Sequence, residues 1–122
     1  MKVKLKIKTT ELDNQTIHSE IHAIKKIKEN FISYKYIDEF GRTELEIYSD
    51  SIFINRFGKI NSSLILKKDL KTSFNYETNS FNCKFDISTK NLTIDQNGFK
   101  CSYSIFQEKS LINNISISIH ET

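Results

Sequence analysis

Alternation of apolar and polar residues with a period of two runs through almost the whole chain, and it leaves few folds open. Val3, Leu5 and Ile7 alternate with Lys2, Lys4, Lys6 and Lys8. Successive side chains of a strand point to opposite faces, so one face here is apolar and the other is a row of ammonium groups. Ile17, Ser19, Ile21 and Ala23 repeat the pattern against His18, Glu20 and His22. The loop at 11–15 between them sets Lys6 opposite Glu20.

A slip of one residue would turn a strand's apolar side chains outward, so loop lengths test each pairing. Ala23, Ile21 and Ser19 can face Ile32, Tyr34 and Tyr36, and Tyr36 can face Thr43. Ile47 and Leu45 face Ile52 and Ile54, and Ile52, Ile54 and Arg56 face Leu66, Leu64 and Ser62. Leu64 and Ser62 face Phe74 and Tyr76, which in turn face Cys83 and Phe81. Ile87 and Phe85 face Leu92 and Ile94, which face Cys101 and Phe99. Cys101 and Tyr103 then face Ile119 and Ile117. Each connection admits a short hairpin that keeps one face apolar.

The expected fold is therefore a single all-β domain over 1–122, an up-and-down antiparallel meander closed into a barrel. An open sheet this long would leave unpaired edges, and the chain has no proline to blunt them. A flattened barrel or sandwich is the alternative. Eleven apolar runs can be counted, whereas simple antiparallel closure wants an even number. Either two runs merge or one is not a strand. Ile21, Ile24, Ile27 and Phe31 also fit helical spacing, which leaves a helical turn as the other reading there.

A chain of 122 residues fits one domain. A net charge of +3 argues against a nucleic-acid binder, which concentrates basic charge in a patch. The N-terminal strip Lys2, Lys4, Lys6 and Lys8 lacks interleaved aromatics and reads as a solvated edge. No apolar run has the length of a secretion signal or a membrane span. The chain is thus expected to be cytoplasmic, with no membrane partner, both cysteines reduced, and Asn91-Leu-Thr93 and Asn114-Ile-Ser116 only chance matches to a glycosylation pattern.

The stretch FISYKYIDEFGRTELEIYSDSIFINRFGKINSSLIL, followed by FNYETNSFNCKFDIST and GFKCSYSI, resembles the YwiB-like family of small bacterial proteins. The most specific elements are Ile54-Asn-Arg56-Phe-Gly58 and Tyr76-Glu-Thr78. The resemblance spans Ile21 to Glu121 and implies a calycin-like (lipocalin-like) barrel, with no activity attached. Asn79-Ser80 stands where the family tends to place glycine, which bears on turn geometry.

The register brings Ser19, Tyr36, Thr43, Arg56, Ser62 and Tyr76 side by side on the inward face. The loops at 37–42, 57–61 and 77–80 flank this row, so it forms a polar belt inside one mouth. Arg56 is the only inward-facing charge on this reading. An unpaired guanidinium is costly to bury, while its fork suits a carboxylate or phosphate. Arg56, with Tyr36 and Tyr76 orienting, is the candidate anion site. The alternative is that it reaches solvent at the strand end and seals the core.

Three other groups stand out. His18 and His22 would lie about 13 Å apart with lysines opposite, which disfavours a metal site. Cys83 and Cys101 face inward a full strand apart, about 9.6 Å, too far for a disulfide. Phe53 and Ile65, with Tyr48 and Phe57 nearby, form a candidate homodimer face. No phosphate loop, metal motif or nucleophile–base spacing stands out, so neither an enzyme nor a cofactor is expected. The expected function is binding of a small amphipathic or anionic ligand at the mouth. The alternative is a structural or protein-interaction domain with a filled barrel.

Overall fold

A computed structural model describes residues 1–122. Ten strands follow in order: β1 (Lys2–Thr10), β2 (Thr16–Ile27), β3 (Ile32–Asp38), β4 (Gly41–Ile47), β5 (Ser51–Gly58), β6 (Asn61–Lys67), β7 (Lys71–Glu77), β8 (Asn82–Asp95), β9 (Gly98–Gln107) and β10 (Ser110–Glu121). Each pairs antiparallel with the next, and β1 pairs with β10, so the meander closes into a barrel with no free edge. No helix is present that is long and apolar enough to cross a membrane. The core lies inside the barrel, where Leu5, Tyr34, Leu45, Ile52, Leu66, Ile87, Phe99 and Cys101 are almost wholly buried.

The odd run count resolves by a merger. Residues expected to form a hairpin between Ile87 and Leu92 lie in one strand, β8. Thr89 pairs with Tyr103 and Asn91 with Ser102, so Lys90 is an extra residue in the ladder. Such a bulge reverses the inward phase, which passes from Phe85, Ile87 and Thr89 to Leu92 and Ile94. A tight turn would reverse it in the same way, and the pattern alone reads as one.

Strand β2 runs to Ile27 and pairs Ile27 with Ile32 and Lys25 with Tyr34. The expected pairing of Ala23 with Ile32 is displaced by four residues, although its parity is kept. The reason lies at the chain ends. Lys25 stands in the inward phase, and its ammonium meets the Glu121 carboxylate at 2.6 Å. That ion pair extends the strand through a residue that looks like loop.

Strands β9 and β10 also run further than their apolar runs suggest. They meet at a two-residue turn, Glu108-Lys109, with Gln107 opposite Ser110. Both turn residues have positive φ, 49° and 71°. This is the backbone that type I′ hairpin turns require and that Asn-Gly normally fills. Lys109→Gly is therefore expected to stabilise the protein by about 1 kcal/mol. Urea unfolding should show a higher midpoint at unchanged slope, and an unchanged midpoint would contradict it.

Candidate functional site

Five of the predicted belt residues form one unbroken row. Tyr36 pairs with Thr43, Thr43 with Arg56, Arg56 with Ser62 and Ser62 with Tyr76. The row runs along one end of the barrel, beside the turns at 39–40, 59–60 and 78–81. Ser19 does not belong to it. Because the β2–β3 ladder begins only at Ile24 and Lys35, Ser19 lies beyond it, paired with Ile7 of β1 and exposed. Arg56 is also not the only inward charge, since Lys25 and Glu121 pair at the opposite end.

Arg56 differs from those two in having no partner. Its side chain takes part in none of the protein's ion pairs. Its Nε is buried and makes no hydrogen bond. Its paired neighbours Thr43 and Ser62 are neutral, and the carboxylates of Asp38 and Glu77 share its two openings without forming an ion pair with it. Burial pushes the Tyr36 hydroxyl above its ordinary value, against the pull of Arg56 and of the Thr43 hydroxyl. Burial pushes Tyr103 up to about 12, again opposed by Arg56. Tyr103 is a buried residue near enough to feel the charge of Arg56, a proximity that the hairpin registers do not reveal. It lies on β9, on the far side of the barrel from β5 in strand order, and no hairpin connects the two. Tyr76 is held from its other side by Phe81, stacked at 5.9 Å, and by the edge of Phe85.

Two openings touch Arg56, and they differ in size. On the mouth side, Gly41 and Gly58 pair across β4 and β5. The Lys59 N–H donates to the Phe40 carbonyl at 2.9 Å, tying the two turns together. Under them remains a gap of about 10 Å³ between Asp38, Thr43, Arg56 and Ile60. That is room for about one water. On the wall side, a cleft of about 420 Å³ runs over β6 and β7, with Arg56, Ser62 and Phe74 in its lining.

The other groups singled out are exposed or separated. His22 and His18 lie opposite Lys4 and Lys8, and Glu20 pairs diagonally with Lys4 at 3.1 Å. Both cysteines are free, but not for the expected reason. Their strands are adjacent, and Cys101 pairs with Leu92, nine residues beyond Cys83 along β8. At the rise of a strand that is about 30 Å. The outer apolar face divides. Tyr48 packs between Phe31 and Phe53, with tilted rings and centroids 4.9 and 5.2 Å away, whereas Phe57 carries the Arg42 guanidinium 4.8 Å from its ring centre. The turn at Asn79-Ser80 is held by Thr78, whose Oγ1 accepts from the Ser80 and Phe81 N–H groups.

One arrangement had no signal in the sequence. Ser118 Oγ lies 3.0 Å from His120 Nδ1, and His120 Nε2 lies 3.1 Å from Asp95. The backbone N–H of Asn97 and the imidazole of His120 pull the Asp95 carboxyl below its ordinary value. The chain of contacts resembles a nucleophile relay. However, Ser118 sits mid-strand, paired with both Lys8 and Lys100. Its backbone is committed to the two ladders, whereas acyl transfer needs free N–H donors for an oxyanion. The contacts join the ends of β8 and β10.

A family model described as a domain of unknown function, DUF1934, matches residues 1–119. No curated protein matches the sequence. Among solved structures, the ywiB protein from Bacillus subtilis is similar to this chain, with a TM-score of 0.75 at 15% identity over 99% of this chain and 92% of that one.

Proposed function

Because the chain belongs to the DUF1934 (YwiB-like) family, whose description assigns no activity, we propose a function from its own geometry: a binding module in which Arg56 captures the anionic group of a small molecule. One observation carries this reading. An inward-facing guanidinium, paired in register with the hydroxyl residues Thr43 and Ser62, makes no ion pair, and its Nε is buried and unsatisfied. Leaving a buried donor unpaired costs about 1–3 kcal/mol, more for a charged group. A carboxylate or phosphate oxygen would supply the missing acceptor, and the planar fork suits either. Ser62 and Thr43, paired with Arg56 on its two sides, add hydroxyls that can turn to the same anion. The fold itself argues little, since barrels of one architecture serve many purposes.

Arg56→Met separates this reading from a structural seal. A guanidinium kept for binding costs stability in the empty protein, so an apolar replacement of similar length is expected to raise the stability by about 1 kcal/mol, read as a higher urea midpoint at unchanged slope. The same variant should lose at least about tenfold in affinity for inorganic phosphate or acetate by calorimetric titration. A variant that is less stable and binds as before would show that Arg56 only closes the core.

A further inference from the structure

We infer that the anion reaches Arg56 through the barrel wall, between β6 and β7, and that it belongs to a compact polar molecule rather than to a fatty acyl chain. The inference rests on the reading of Arg56 as an anion site and adds its route and ligand class.

The β6–β7 ladder is the weakest seam of the barrel. It has only two rungs, Asn61 with Glu77 and Ser62 with Tyr76. Ser63–Lys67 and Lys71–Asn75 face one another without pairing, although the two strands are joined by a short turn at 68–70. The turn instead leans on β8. The Asp69 N–H donates to the Thr89 carbonyl at 3.0 Å, and the Thr89 N–H donates to the Leu70 carbonyl at 3.1 Å. This draws the tip of the hairpin away from a regular ladder and leaves the strands apart below it.

The cleft over this seam combines side chains from both faces of the wall. Ser63, Ser73, Asn75 and Glu77 are outward and exposed, while Arg56, Ser62 and Phe74 belong to the inward phase. Ser62 explains how an inward arginine is met from outside. It is directly opposite Arg56, and with its small side chain there both residues line the cleft over the seam. The mouth offers no comparable route, because the tied turns leave only about 10 Å³ there. The lumen beyond Arg56 is occupied by Tyr36, Leu45, Ile54, Phe74 and Tyr103, all buried. An alkyl tail would have to displace that core. The seam cleft is edged mainly by hydroxyl and amide groups, and these match a ligand that makes hydrogen bonds along its body.

Calorimetric titration of the intact chain with inorganic phosphate, glycerate and decanoate tests this. Phosphate, glycerate or both should bind, and decanoate should bind no tighter than glycerate. Ser63→Trp and, separately, Asn75→Trp fill the cleft from outside and should each weaken binding at least about tenfold. Phe40→Trp, on the mouth turn, should leave it unchanged. All three tryptophan positions are exposed, so circular dichroism and the unfolding midpoint should match the parent. Binding that Arg56→Met abolishes but Ser63→Trp and Asn75→Trp leave intact would overturn the wall route alone. Decanoate binding tighter than glycerate would overturn the polar class. If none of the probes binds the parent protein, the anion site itself is refuted and the route with it.

Discussion

Replacing Glu121 by alanine is expected to cost the barrel about 3 kcal/mol, a large share of the stability of a domain this size. Glu121 is inward on β10, beside Leu5 of β1. One of its oxygens accepts from Lys25 Nζ at 2.6 Å and from the Tyr34 hydroxyl at 2.8 Å. The pair is mostly covered, with 12% of the Lys25 side chain and 18% of that of Glu121 exposed. Removing the carboxylate alone leaves a nearly buried ammonium without a counter-charge and a buried phenol without an acceptor. Removing both charges together, as Lys25→Met with Glu121→Leu, should restore most of the loss, because the penalty lies in the orphaned partner.

The same contacts predict how stability depends on pH. Burial alone would raise the Glu121 carboxyl, but the hydrogen bonds from Lys25 and Tyr34 outweigh it and hold it below the ordinary range. A carboxylate lowered on folding contributes fully above the unfolded value and loses its contribution as pH falls through the folded one. Tyr34, Tyr36 and Tyr103 are shifted upward, chiefly by burial. Their contribution is present below the ordinary tyrosine value of about 10 and is lost as pH rises past it. Urea midpoints of the parent should therefore fall at both ends of the pH range. The gap between parent and Glu121→Ala should start to narrow below the ordinary glutamate value of about 4.3 and go on narrowing as pH falls through the lowered folded value, where the parent's carboxylate takes up its proton. A gap that stays constant into acid would show that the ion pair contributes nothing.

How far the sequence discloses this molecule depends on the distance over which each feature is decided. The row from Tyr36 to Tyr76 is readable because consecutive hairpins with short turns set it, and each register follows from counting residues across one loop. Lys25 is not readable in this way. A lysine in the inward phase looks like the start of a loop until its partner is known, and Glu121 lies 96 residues further on. Tyr103 is hidden from Arg56 for the same reason: barrel closure, not a hairpin, brings it near. Lys90 shows a different limit. A one-residue bulge and a tight turn leave the same reversal of phase in the sequence, and only the pairing of β8 with β9 distinguishes them. At Glu108-Lys109 the backbone adopts a geometry that its residues do not advertise, so β9 and β10 look shorter than they are.

Gly41→Ala should be the most disruptive single-methyl change near the anion site, and its effect can be traced from backbone to binding. Gly41 has φ of +130° and its partner Gly58 has +133°, a region that side chains of L-residues rarely enter. A Cβ at Gly41 would run into the Phe57 carbonyl oxygen far inside van der Waals contact, and the obstacle is backbone, which no rotamer change can move aside. Strain and clash together should cost about 3 kcal/mol or more. For a chain of this length that lowers the melting temperature by roughly 10 °C. The chain can relieve the clash only by separating β4 from β5 at this end. That movement would break the bond from the Lys59 N–H to the Phe40 carbonyl and widen the gap that now admits about one water. A folded Gly41→Ala protein should then take phosphate through the mouth as well, so that Ser63→Trp no longer blocks binding in that background. Thermal melts and titration of the single and double variants measure both effects. A Gly41→Ala protein that melts within about 2 °C of the parent would show that the glycine pair is not what closes the mouth.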